Sequence, residues 1–155
     1  MRDAFWDTVI ERLEHEAAKL DDACRAADGM LPSISGLGDR PLEDFTRLQW
    51  RDAGLAASLR ETATQVRAGL QQRDKLGPAF ATSAVLVRGW LSIRQVECDV
   101  AADEAMVELT TWRHEPAVRG RAVALSAYAI GQAHGFRRVG ESIAEAQARQ
   151  SERSG

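Results

Sequence analysis

Cysteine is scarce in this chain, and its placement rules out a framework. Cys24 and Cys98 are the two cysteines among 155 residues, far apart and without C-x-x-C spacing. That excludes a disulfide scaffold and a cysteine zinc site. Each is expected to be a free thiol acting as a small core hydrophobe in a reducing cytosol. Long apolar runs are missing too: none approaches the roughly 20 residues that a membrane-spanning helix needs. Arg2, Asp3 and Asp7 interrupt the first apolar residues, where a secretory signal requires a continuous core. The expectation is a cytoplasmic protein without a membrane partner.

Lysine is nearly absent. Lys19 and Lys75 stand against eighteen arginines. With abundant alanine, this is the compositional habit of GC-rich bacterial genomes, and it weakens arginine count alone as a sign of phosphate binding. Motifs that carry chemistry are lacking as well. There is no G-x-S-x-G elbow for a nucleophile, and no G-x-x-x-x-G-K-[ST] or G-x-G-x-x-G loop for phosphates. Di-iron bundles need Glu-x-x-His pairs on two helices. Here Glu11 and His15 are four apart, Glu108 and His114 six apart, and no such pair occurs. The sequence therefore points to a non-catalytic protein, with no catalytic, cofactor-binding or metal-binding residue and no cofactor.

What is present is ordinary for one globular domain. The apolar fraction is 45%, the charged fraction 28% and the net charge -3, unlike a disordered chain. The charge is uneven: residues 1–28 hold four basic and eight acidic groups, residues 113–155 seven and four. The acidic end can attract the basic end, or a partner.

Four periodic segments follow. Trp6, Ile10, Leu13, Ala17, Leu20, Cys24 and Ala27 step by four and three, which predicts a helix from Asp3 to Asp28. Gly29 is expected to stop it, and residues 29–40, with Pro32, Gly36 and Gly38, to form a loop. Pro41 suits a first helical turn, with Asp39 before it as a cap. Leu42, Phe45, Leu48, Leu55, Leu59, Thr62, Val66 and Leu70 then hold one stripe. Gly54 and Gly69 weaken that helix by about 1 kcal/mol each relative to Ala, and a kink is expected near Gly54.

After a turn at Gly77-Pro78, the third stripe is Phe80, Ala84, Val87, Leu91, Cys98, Ala101, Ala105 and Trp112. Leu86, Trp90, Ile93, Val100 and Val107 flank it and are expected to widen the core face. Val96, Cys98 and Val100 also alternate as a strand would. The last helix opens at Pro116 and buries Val118, Ala122, Leu125, Ala129, Phe136, Val139, Ile143 and Ala146. Gly131, Gly135 and Gly140 make its middle intrinsically weak. The expected fold is an all-α, up-down four-helix bundle of long antiparallel helices over residues 1–150, with a frayed tail at 151–155. The alternative is an α+β fold with a short strand pair within residues 93–112.

Three groups of residues stand out. Asp52, Arg94 and Gln132 each interrupt an apolar stripe, and folding the chain back at its turns sets them loosely at mid-height. They are expected to form a buried polar layer that fixes helix register. Trp50 falls on the outer face of its helix beside Arg47 and Arg51, the composition of a protein-binding anchor. Arg119, Arg121, Arg137 and Arg138 line the basic last helix, where they could contact phosphates without reading sequence. The leading expectation is a small protein-interaction module, an adaptor or accessory subunit that docks on another chain or on itself. The alternative is an accessory nucleic-acid-binding subunit using the C-terminal arginines.

Overall fold

The computed structural model describes residues 4–76 and 83–155. They form four helices: α1 (Ala4–Ser35), α2 (Asp39–Leu76), α3 (Ala84–Thr111) and α4 (Pro116–Ser154). The helices pack on one another as an all-α four-helix bundle. No strand occurs among the described residues, so the alternating stretch around Cys98 is helix. The expected turn at Gly77-Pro78 and the apolar Phe80 lie outside them.

Local chemistry sets the boundaries. Ser83 precedes α3, and its hydroxyl accepts a hydrogen bond from the Leu86 amide at 3.1 Å. That satisfies one of the donors a helix N-terminus leaves unpaired. Pro116 opens α4, as its position after Glu115 predicted. The expected loop at residues 29–40 is corrected: α1 runs through Gly29 to Ser35, and only Gly36, Leu37 and Gly38 separate it from α2. The turn comes at Gly38, whose φ of 110° lies in the region that favours glycine. Pro32 sits inside α1, where the stretch is exposed and water can reach the Asp28 carbonyl that loses its helical donor. The tail is corrected likewise. It is helical to Ser154, with the Ser151 hydroxyl donating to the Gln147 carbonyl at 3.2 Å.

Of the sequence neighbours, α1 with α2 and α3 with α4 pair antiparallel, as expected, whereas α2 packs chiefly on α4 and not on α3. Asp21–Arg60 and Glu14–Arg67 join α1 to α2, and Cys98–Gln132 and Met106–Ser126 join α3 to α4. The centre of the bundle, however, is a parallel pair. Along α2 and α4, Glu43 meets Arg119, Gly54 lies on Tyr128, and Ser58 faces Gly135. Helix α1 packs on the α2 side of this pair and α3 on the α4 side.

Glycine makes the central contact. A Cβ at Gly54 would overlap the Tyr128 carbonyl, one at Gly131 the Arg51 carbonyl, and one at Gly135 the Ser58 hydroxyl. The residues that weaken each helix in isolation are those that let the two backbones touch. Helix α2 is continuous through Gly54. Around the seam, Trp6, Ile10 and Leu13 of α1, Leu59 and Val66 of α2, Leu91 and Cys98 of α3, and Phe136, Val139 and Ile143 of α4 form the main core. Among the described residues the buried polar side chains are hydroxyls: Ser58 donates to the Leu55 carbonyl at 2.7 Å, Thr62 to the Ser58 carbonyl at 2.8 Å, and Ser126 across to the Met106 sulfur at 3.6 Å.

Candidate functional site

Helix α3 is apolar on two opposite faces, and the bundle covers only one. Leu91, Cys98, Ala102, Ala105 and Leu109 are buried against α4 and the core. Leu86, Ile93, Val100 and Val107, expected to widen that face, are instead 69%, 61%, 51% and 66% exposed. The geometry requires it. Val100 follows Cys98 by two residues, about 200° around a helix, so the two cannot face one core. Val85 and Val96 flank the exposed line. Together the six residues, each more than half exposed, make a continuous apolar patch, the kind of surface that marks an interaction site.

The line is regular. Leu86, Ile93, Val100 and Val107 recur every seven residues over about 32 Å of helix, the spacing of a helix-packing seam. Gly89 lies on the same face, with open space where a Cβ would be. That spacing was visible in the sequence, and so was its separation from the Leu91–Cys98–Ala105 line. Assigning both lines to one core hid the surface. Trp112 was likewise expected inside but is exposed at the end of α3, and Ala101, Leu48 and Leu125 are exposed as well.

The three groups singled out in the sequence are dispersed. Trp50 is 44% exposed on α2, with its ring edge-on to Tyr128 at 6.1 Å between centroids. Arg47 is paired with Glu43 at 2.8 Å, and the Arg51 side chain is exposed.

The expected polar layer is corrected: Asp52, Arg94 and Gln132 are half-buried, with Arg94 and Gln132 beside Cys98 and Asp52 on the Cys24 side. Arg94 reaches across to α2, where its Nε and Nη2 donate to the Glu61 carboxylate at 2.9 and 3.2 Å, and it also pairs with Glu97. Its guanidinium stands 5.3 Å from the centre of the Phe136 ring, so the stem and planar head cover the core edge while the charge stays at the surface. Gln132 accepts from the Cys98 thiol at 3.8 Å. Asp52 is on the other side, near Cys24. Burial, then the charges of Asp52 and Asp28, push the Cys24 thiol up from its ordinary range. Burial does the same for Cys98, partly offset by Arg94. Neither thiol is therefore activated as a nucleophile.

The C-terminal arginines are partly engaged within the chain. Arg119 forks onto Glu43, both nitrogens at 2.9 Å. Arg138 lies 3.9 Å from Glu16, and Arg137 3.3 Å from the His134 ring. Arg121 is exposed on the first turns of α4. The Arg119 fork, then Arg47, holds the Glu43 carboxyl below its usual range despite partial burial. A carboxyl lowered on folding adds stability above its unfolded value, lost as pH falls through the folded one. Glu43→Gln is thus expected to flatten the acid limb of the stability profile below about pH 4.5. Urea titrations from pH 6 to pH 2.5 check this, and parallel curves for the two proteins would deny the pair any such role.

Concavities lie among the described residues. A groove between α1 and α4, lined by Phe5, Val9, Leu13 and Ile143 with Arg12 and Arg138 at its rim, holds about 250 Å³, below the usual range of small-molecule sites, about 300–1,000 Å³. A larger one, about 370 Å³, lies beside Glu43 and Arg119, whose charges already satisfy each other. Among the described residues no three His, Cys, Asp or Glu side chains are grouped to hold a metal ion. No helix among them is long and apolar enough to cross a membrane. Comparison of the chain with protein families, curated proteins and solved structures finds no match.

Proposed function

We propose that the chain is a non-catalytic helical docking module, an adaptor or accessory subunit of a bacterial cytoplasmic complex, which works by packing α3 against another protein chain. One observation carries this reading: the seven-residue line of exposed Leu86, Ile93, Val100 and Val107 on the face of α3 turned away from the core. A helix that is apolar on both faces is the pattern of a helix enclosed on both sides. Covering the line, with Val85 and Val96 beside it, would remove from water the kind of contiguous apolar surface that marks a protein interaction site. Trp50, half-exposed on α2, is a second and smaller anchor. Nothing comparable favours the nucleic-acid reading, because Arg119 and Arg138 face carboxylates of their own chain.

Photo-crosslinking in the native cell tests the proposal. A benzophenone side chain at Val100 is expected to capture a discrete protein adduct that survives nuclease and disappears with Ile93→Asn. The same group at the exposed Gln65 of α2 should capture little. Equal capture at both sites, or adducts that vanish with nuclease, would refute it.

A further inference from the structure

The exposed face of α3 has acidic edges, and these select its occupant. From Val96 to Trp112 the chain holds Glu97, Asp99, Asp103, Glu104 and Glu108 and no Lys or Arg. At 100° per residue, Glu97, Glu104 and Glu108 fall along one edge of the Leu86–Val107 line and Asp99 and Asp103 along the other. Four of the five are exposed, and Glu108 is half-buried. The nearest cation on the helix, Arg94, is committed to Glu61 and Glu97. The C-terminal half of the apolar ridge, about 17 Å from Glu97 to Glu108, lies between two rows of carboxylates, and its N-terminal half from Leu86 to Ile93 has none.

We infer that this ridge binds an amphipathic helix of a partner protein whose apolar stripe is bordered by Lys or Arg. The inference rests on the docking reading above and adds the chemistry of the partner. Apolar contact along the line supplies the burial, and basic borders meet the carboxylates, which steers the encounter and fixes the pairing. The β-branched residues at 93, 100 and 107, with Gly89 in the same line, leave a low ridge that a second helix can approach closely.

A second copy of α3 is the poorer occupant. Parallel pairing sets Asp99 of one copy against Glu104 of the other, the flanking contact of a two-stranded seam. Antiparallel pairing sets each acidic row against itself. Like charges face one another in both directions.

Two synthetic 28-residue helical peptides, identical on their Leu/Ile face, probe the idea. One carries Lys at the flanking positions and the other Glu. Fluorescence anisotropy with the full chain is expected to show the Lys peptide binding at least about tenfold tighter, with amide-exchange protection confined to residues 86–107. Val100→Asn, which alters no charge, should weaken it about tenfold or more. Asp99→Lys, Asp103→Lys and Glu104→Lys together should reverse the preference while leaving the Arg94 pairs in place. Helical content by circular dichroism verifies that the variants fold.

Equal binding of the two peptides, or binding indifferent to Val100→Asn, would overturn the inference. So would failure of both peptides. If sedimentation then showed self-association abolished by Val100→Asn, the docking reading would survive with a second copy as occupant. If there were no self-association and no cross-link at Val100, both readings would fall.

Discussion

Replacing Phe136 by alanine is expected to cost about 3–5 kcal/mol, the usual range for a large aromatic side chain in a core. Phe136 has no exposed surface. Trp90 of α3 packs on its edge, with the ring centres 5.7 Å apart, and Arg94 stands over its face. Alanine therefore removes apolar contacts, undercuts an aromatic pair and leaves the stem of Arg94 without its platform. The loss is a large share of the roughly 5–15 kcal/mol that holds a typical domain folded. Urea unfolding should show the midpoint falling well below that of the parent. Trp90 emission should move to the red in the folded baseline as its packed edge meets water. A loss under about 1 kcal/mol would mean that the ring is not where the helices converge.

The second large effect is a reversal of a familiar rule. An exchange of Gly for Ala within a helix normally stabilises, by up to about 1 kcal/mol. Gly29, within α1, has nothing near the position of a Cβ, and Gly29→Ala should give that gain. At Gly131 the added methyl meets the backbone of Arg51, where no side chain can turn aside. The two helices must separate or shift. Overpacking typically costs about 1–3 kcal/mol and more where the site cannot relax. A net loss of about 3 kcal/mol is expected for Gly131→Ala, a fall in melting temperature of roughly 6–12 °C for a domain of this size. Gly54→Ala should behave the same way, and the double variant should cost less than the sum, since one separation accommodates both. If Gly131→Ala proved as harmless as Gly29→Ala, the close seam between α2 and α4 would be wrong.

The helices were legible because their signals are local. Trp6, Ile10, Leu13 and Ala17 announce one face of α1 by spacing alone, and all four are buried. Pro116 marks a helix start by its fixed φ and missing donor. What failed was whatever depends on a neighbouring helix. Gly29 can end a helix or continue one, and the choice lay with Gly38, three residues beyond Ser35. Gly54, Gly131 and Gly135 lower helix propensity in any single-helix account, and their use appears only once two backbones meet. Asp52, Arg94 and Gln132 share a polar character, but their burial follows from the direct packing of α2 on α4, which periodicity does not report. The exposed ridge falls between these cases. Its residues and their spacing were in plain sight, whereas the side of α3 that would stay open was not.

The parallel pair also has a consequence for how the chain reaches its fold. Helices joined by a short turn can find each other soon after both exist, and α1 with α2 is such a hairpin. The α2–α4 seam is different: Glu43 and Arg119 are 76 residues apart, and α3 lies between the two helices in the chain. Contacts at that separation carry a larger loop-closure entropy and form late. On a ribosome, the small-residue face of α2 waits through the synthesis of all of α3 before its partner emerges. A mostly helical bundle of this kind should then close at the pace of its distant contacts with α4, not of its many near ones.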